Sequence, residues 1–394
     1  MADLFQRCRD YTVIDDAKAM GVYPYFLEVS HTDGTEVVID GKPRLMLGSN
    51  NYLGLTMDPR VKAAATKALD TYGTSCSGSR FLNGTLSLHI ELEERLAAFL
   101  RKPAAAVVAT GYQTNLAALG ALLGRDDVAV MDKQNHASLY EGVMISRCRI
   151  KRYGHMDMED LDGVLSNVND TKSAMIITDG VFSMEGDLAD LPGLVAAKKK
   201  HNVRLLVDDA HGLGTMGAGG RGTAEHYGLE DDVDIITGTF SKSFASLGGV
   251  VAGPTEVIEY IKHHGRSLIY SASISPASLG AALASLDIME TEPEHKERLH
   301  SNVARMRKGL VELGYKVGEA TTPVLPIYIG EEVRMLFFWK ALFDEGVYTN
   351  AVIPPAVAPD DTLIRTSFMA SHTHEQIDRA LDVFERVGKL ANLI

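Results

Sequence analysis

The stretch TGTFSKSFASLGG, residues 237–249, crowds hydroxyls around one lysine. Thr239, Ser241, Ser243 and Ser246 surround Lys242, and a glycine pair follows. Two chemistries suit such a setting: phosphate binding, and a lysine that must be made reactive. A nucleotide P-loop places glycine directly before its lysine. Here Ser241 holds that place and the glycines come after it, which argues against ATP chemistry. A G-x-G-x-x-G dinucleotide fingerprint is also missing. HGLGTMGAGGRG is glycine-rich, but it follows a carboxylate–histidine motif rather than opening one of these folds. A free lysine, with a pKa of roughly 10.4, is a poor nucleophile at neutral pH. Burial or imine formation changes that.

A lysine that carries pyridoxal 5'-phosphate needs three kinds of companion: a carboxylate facing the pyridine nitrogen, a ring against the pyridine face, and small donors for the phosphate. The chain supplies each. Asp208, in VDDAHGLG, can keep the pyridine nitrogen protonated so that the ring accepts electrons from a substrate carbanion. His211, three residues on, can bond the ring hydroxyl oxygen or the substrate. His136, in NHASLYEG, can lie flat against the ring and shuttle protons. Ser183, in GVFSMEGD, is a second donor for the ring hydroxyl. Gly111 and Tyr112 open a helix, so their backbone N–H groups face any phosphate placed there. Each residue taken alone has a bland reading as a loop cap, a packed histidine or a turn glycine. The set carries the inference.

Positioning such a set takes a particular scaffold. The runs AAVVAT, DVAVMD, SAMIITDG, VRLLVDDA, VDIITGTF and GGVVAG have no polar alternation, as strands buried on both faces do not. Segments with helical spacing lie between them, such as LHIELEERLAAFLRK. The order predicts a mostly parallel sheet covered by helices, with ligands beyond the carboxyl ends of the strands. The polar residues named above sit at those ends. After about Ser285 the pattern changes to a long helix, VLPIYI, another helix, VYTNAVIPP, TLIRTSFMA and a last helix, predicting a smaller α/β domain.

The 394 residues suit a large domain plus a smaller one. Hydrophobic residues at 45% and charged residues at 23% read as soluble and globular. The formal net charge of -13 argues against nucleic-acid partners. Cys8, Cys76 and Cys148 are few and scattered, which predicts a reducing, cytoplasmic setting. The charged N-terminal stretch does not read as a signal peptide, and AAAVVATGYQTNLAALGALLG is too broken by polar residues to predict an integral membrane segment. His372 and His374, in SHTH, lack nearby cysteines or a carboxylate pair, so no metal site is expected.

GTFSKSFASLGG, VDDAHGLG, DGVFSMEGD, NHASL and NNYLGL occur in that order, and in them the chain resembles the α-oxoamine synthases over nearly its whole length. The resemblance implies a fold-type I pyridoxal-phosphate-dependent transferase. Its large domain would hold a mostly parallel seven-stranded sheet, with a smaller C-terminal α/β domain beside it. The division would be an N-terminal arm over 1–47, a cofactor-binding domain over 48–285 and a small domain over 286–394. The implied reaction condenses an amino acid with an acyl-CoA and releases CO2. Lys242 matches the cofactor lysine, Asp208 the pyridinium partner and His136 the stacking histidine. His211 and Ser183 match the groups around the ring hydroxyl. Thr239, Ser241, Gly111 and Tyr112 match the phosphate ligands. Arg365, in TLIRTSFMASHT, matches the arginine that grips the substrate carboxylate, a task suited to its bidentate fork, with Asn50 assisting. The resemblance also implies a homodimer with shared active sites, to which YSASISPA would contribute Ser273. AMGVYPYF, GTSCSGSRFLNGTLSLH and NAVIPPAVAP resemble members that use L-serine and a long-chain acyl-CoA such as palmitoyl-CoA. NAVIPPAV is expected to line a groove for the acyl chain. Members that use glycine are the alternative. A non-catalytic regulatory relative would lack the lysine that this chain keeps.

Overall fold

The computed structural model describes residues 3–168, 171–319, 322–354, 356–357 and 360–394. Six apolar runs and one charged edge strand form one sheet: β1 (Ala104–Val108), β2 (Asp127–Asp132), the charged β3 (Arg149–Tyr153), β4 (Ser173–Asp179), β5 (Arg204–Asp208), β6 (Ile235–Thr239) and β7 (Gly249–Gly253). Their spatial order is β1-β7-β6-β5-β4-β2-β3. The five strands from β6 to β3 are mutually parallel, while β7 runs antiparallel to both β6 and β1. The reversal has a simple cause. Nine residues, 240–248, join β6 to β7, too few for the helical crossover that parallel neighbours need.

Alternate strand residues feed opposite faces. Ala106, Ala129, Met131, Ile177, Leu206 and Val251 pack under helices α1 (Gly111–Leu122) and α2 (Ala137–Ser146). On the other face Ala105, Val107 and Val250 meet Leu92, Leu96 and Leu279, while Val130, Ile176 and Val207 meet Leu161, Leu191 and Leu194. Apart from the edge strand β3, both faces are therefore dry, as the unbroken apolar runs require. Because β2, β4, β5 and β6 point the same way, their carboxyl ends share one edge. That edge carries Asp132, Asp179, Asp208 and Thr239.

The C-terminal part holds a three-stranded antiparallel sheet of Val324–Gly330, Thr362–Ser367 and Asn350–Val352. Helices Glu294–Leu313, Glu332–Asp344 and His374–Leu390 cover it around a core of Phe338, Trp339, Phe368 and Phe384. Residues 31–46 form short antiparallel strands whose last, Lys42–Met46, pairs in parallel with Val347–Tyr348. Helix Pro276–Thr291 spans position 285. Among the described residues no helix is long and apolar enough to cross a membrane.

Candidate active site

Each polar residue of the site is fixed by the element that ends beside it. His136 caps α2. Its backbone N–H donates to Asp179 Oδ2 at 2.8 Å, and its Nδ1 accepts from the Ser138 N–H at 3.2 Å. Nδ1 therefore carries no proton, and the neutral ring keeps its N–H on Nε2. Burial, reinforced by nearby Lys242 and opposed by Asp208, holds its pKa below the ordinary histidine value.

Asp208 closes β5. Strand alternation sends it and Asp209 to opposite sides. Asp208 Oδ2 accepts from Asn115 Nδ2 at 2.6 Å, and its Oδ1 accepts from the Ala210 N–H at 3.1 Å. Asn115, on α1, also donates to Ser138 Oγ at 2.8 Å and accepts from Thr237 Oγ1 at 2.8 Å, so both its N–H groups and its oxygen are engaged. Asp209 instead accepts from the Thr223 N–H and hydroxyl and pins the glycine-rich turn that follows. Burial raises it to about 6. Asp179 sits directly across the strand register from Asp208. Two carboxylates buried side by side cannot both ionise cheaply. Burial, then the Asp208 charge, pushes Asp179 well above the usual carboxylate range.

Lys242 lies in the turn from β6 to β7, where two cavities meet. Burial lowers its pKa to about 8, against the opposing pull of Asp208. The first cavity, about 270 Å³, is lined by Asp208, Asn115, His136, His211, Thr239 and Ser241 together with the start of α1. The first N–H groups of a helix have no intrahelical acceptor, and Gly111 and Tyr112 present theirs here. Thr239 Oγ1 lies 2.8 Å from Ser241 Oγ. A Cβ on Gly111 would come within 2.5 Å of the Thr239 side chain, so the close approach of helix and strand end requires glycine.

The second cavity, about 440 Å³, shares His136, His211 and Lys242 with the first and adds Asn50, Ser183 and Arg365. Arg365 is 4% exposed. Its Nη2 donates to Asn50 Oδ1 at 3.0 Å and its Nε to the Ser183 carbonyl at 2.5 Å. Among the described residues no carboxylate pairs with it. Outward, the walls are apolar: Pro24, Tyr25, Met184, Val352, Ile353 and Ala356. Within the acyl-groove stretch 350–357, Pro355 lies outside the described residues.

One chain thus brings together Lys242, Asp208, His136, His211, Thr239, Ser241, Gly111 and Tyr112 in one cavity, with Ser183, Asn50 and Arg365 in the adjoining one. Ser273 joins neither. Its N–H donates to the Gly78 carbonyl at 2.9 Å, and its buried hydroxyl has no hydrogen-bond partner among the described residues. His372 bridges the Met369 N–H and the Met46 carbonyl, a structural post that burial holds at about 4. Three residues of the site go beyond those anticipated: Asn115, Asp179 and Tyr52. The Tyr52 hydroxyl lies 2.6 Å from His211 Nδ1 and 3.1 Å from Asn50 Oδ1, linking the two cavities. Asp179 closes an apolar run as Asp208 does, a signal available in the sequence.

A lysine of lowered pKa, a carboxylate held rigidly below it and a helix N-terminus flanked by hydroxyls define a pyridoxal-phosphate-dependent transferase on a fold-type I scaffold. Residues 42–384 match the aminotransferase class I and II family, and the chain belongs to it. It is 47% identical to the serine palmitoyltransferase of Sphingobacterium spiritivorum, over 99% of this chain and 98% of that one. It is 39% identical to the 8-amino-7-oxononanoate synthase of Thermoanaerobacter pseudethanolicus over 97% of each. The solved serine palmitoyltransferase of S. paucimobilis with bound PLP–myriocin aldimine superposes with a TM-score of 0.97, covering all of both chains at 35% identity. The chain is a pyridoxal-phosphate enzyme and an acyltransferase of this family. Its first cavity fits that cofactor. The open N-terminus of α1 and the Thr239–Ser241 hydroxyls suit a phosphate, and Asp208 suits a ring nitrogen.

Proposed function

We propose that the chain condenses L-serine with a long-chain acyl-CoA, releasing CoA and CO2. With palmitoyl-CoA the product is 3-ketodihydrosphingosine, the first step of sphingolipid synthesis. The observation that carries the reading is Arg365, a buried guanidinium that pairs with no carboxylate among the described residues and lines the same chamber as Lys242. A buried cation left unpaired is costly, and the carboxylate of an amino-acid substrate would neutralise it.

Bound pyridoxal phosphate supplies a carbon that takes up an amine and a ring that accepts electrons from the amino acid's Cα. Around it, Lys242 holds the cofactor and removes the Cα proton, a task suited to an amine with a pKa of about 8. Asp208 faces the ring nitrogen, with Asn115 holding its carboxylate in place. Thr239, Ser241, Gly111 and Tyr112 hold the phosphate. His211 and Ser183 face the ring hydroxyl. His136 covers the ring face and offers its Nε2–H to the substrate. Arg365 and Asn50 fix the carboxylate. Ser273 completes the phosphate site of the neighbouring copy in a homodimer, and the enzyme works in the cytoplasm. The functional division into an arm over 1–47, a cofactor domain over 48–285 and a small domain over 286–394 belongs to the same reading.

The 39% identity to an 8-amino-7-oxononanoate synthase supports a second reading, a glycine-using enzyme acting on pimeloyl-CoA. A 2-amino-3-ketobutyrate ligase, pairing glycine with acetyl-CoA, is the other glycine-using alternative. The chamber favours a plain alkyl chain. Beyond Lys242 and Arg365 its described lining has no lysine or arginine to meet a second carboxylate on the acyl chain. The test compares kcat/KM for serine, glycine, alanine and threonine with palmitoyl-CoA, then with acetyl-CoA and pimeloyl-CoA. A clear preference for serine and palmitoyl-CoA is expected. A preference for glycine with either short acyl-CoA would overturn the reading.

A further inference from the structure

Behind the amino-acid chamber lies a charged cluster that the chemistry above does not use. His155 follows β3 by two residues. Its Nδ1 is 2.9 Å from Asp132 Oδ1 and its Nε2 is 3.4 Å from Asp187 Oδ2. A carboxylate has no proton to give, so a ring that meets one at each nitrogen donates from both and is an imidazolium. Asp132 is 1% exposed and is itself anchored by the N–H groups of Gln134 and Met156 at 2.8 and 2.9 Å. The ring also stands edge-on to Phe182, with centroids 4.4 Å apart.

Asp187 and Phe182 belong to the loop over 180–189. That loop is closed on itself: the Phe182 N–H donates to the Asp187 carbonyl, and Val181 pairs with Leu188. Its front holds the site. The Ser183 carbonyl accepts from Arg365 Nε at 2.5 Å, and the neighbouring Met184 lines the chamber. One loop is thus gripped from behind by His155 while it orients the buried guanidinium in front. We propose that His155 is a positioning residue for substrate binding: by bridging Asp132 and Asp187 it fixes the 180–189 loop, so that the Ser183 carbonyl aims Arg365 at the substrate carboxylate. The proposal rests on the reading of Arg365 as the carboxylate grip.

The charged groups facing His155 are Asp132 from the end of β2, and Asp187 and Glu185 from the loop. Burial pulls the ring down, and the bonds to Asp132 and Asp187 overcome it, raising it to about 9. The bridge is therefore intact below pH 9 and is lost as pH rises through it.

The experiment titrates holoenzyme with L-serine and with glycine, reading the cofactor's absorbance, from pH 7 to 10 in wild type and His155→Gln. Comparing the two proteins at each pH cancels titrations they share. The dissociation constant should be about tenfold weaker in the variant at pH 7, the worth of a charge-assisted hydrogen bond. The ratio should fall towards one above pH 9, where wild type has lost the bridge as well. A ratio near one throughout, or one independent of pH, would overturn the proposal. Asp187→Asn, at the more exposed end of the bridge, keeps the test available if His155→Gln folds poorly. It should weaken binding in the same direction, and unchanged binding would count against the bridge. Arg365→Lys separates the two ideas. Undiminished amino-acid binding there removes Arg365 as the grip, whereas weakened binding there beside a flat His155→Gln ratio removes the bridge alone.

Discussion

Asn115 Nδ2 donates to Asp208 Oδ2 at 2.6 Å, and both side chains are nearly sealed from water. The amide cannot turn away, because its oxygen accepts from Thr237 and its other N–H meets Ser138. Asp208 is thus held in one orientation from behind and stays an acceptor towards the cavity. Asp208→Asn should lose turnover by several orders of magnitude at nearly unchanged melting temperature, since an amide cannot hold a proton on the ring nitrogen. Asn115→Ala should weaken pyridoxal phosphate binding by about tenfold through the lost bond to a charged group. Near-normal kcat in Asp208→Asn would remove Asp208 from this role.

Lys242 should identify itself chemically. Borohydride treatment of the loaded protein is expected to fix the cofactor to a peptide containing Lys242, and Lys242→Ala should be inactive. With its pKa lowered to about 8 by burial, Lys242 is neutral above that pH. The rate of cofactor uptake by the apoprotein should therefore climb to about pH 8 and then level off. A rate still climbing towards pH 10, or label at another lysine, would contradict the assignment.

Gly111→Ala tests the phosphate cradle. The new Cβ would lie 2.5 Å from Thr239 Cβ, and backbone on either side leaves little room to yield. Overpacking of this kind costs about 1–3 kcal/mol. The strain falls where α1 meets the end of β6, so cofactor affinity should drop about tenfold or more and the melting temperature should fall. Equilibrium dialysis and a thermal melt read both. Wild-type affinity would show that the cradle is not where the phosphate binds.

Among the described residues the buried Ser273 hydroxyl has no partner, and Ser273 lines neither of the two site cavities. If it serves a neighbouring copy, Lys242→Ala and Ser273→Ala chains mixed and reassembled will complement. Random pairing gives about half heterodimers, each with one site free of both changes. About a quarter of the sites should then show native cofactor affinity. A monomer with full activity in sedimentation would end the shared-site idea.

The chemistry was legible because parallel strands buried on both faces read as unbroken apolar runs, and their last residues stand out as polar. Asp208 and His136 drew notice as polar residues at such ends, and Lys242 by the hydroxyls and glycines around it. Asp179 ends such a run too, but its importance comes from lying across the register from Asp208, and register is a tertiary fact. Tyr52 lies inside NNYLGL. Only folding brings it to His211, 159 residues away. The direction of β7 was readable from the short connection before it. The strands in 31–46 were not, because they are only two to five residues long, and the last of them pairs with the distant 347–348.

The placement of β7 also dictates when the site is born. β1 has one neighbour in the sheet, and that neighbour is β7. A growing chain that has made β1 and α1 must therefore hold an unpaired apolar strand until residues 249–253 emerge. Only then does Gly111 come to rest beside Thr239 and the phosphate cradle close. Pairings so distant along the chain are slow to form and leave sticky edges exposed meanwhile. A nascent chain halted before β7 would carry Lys242 yet lack a finished cradle. Cofactor capture is thereby tied to completion of the sheet, and a half-made enzyme is poorly equipped to sequester a reactive aldehyde.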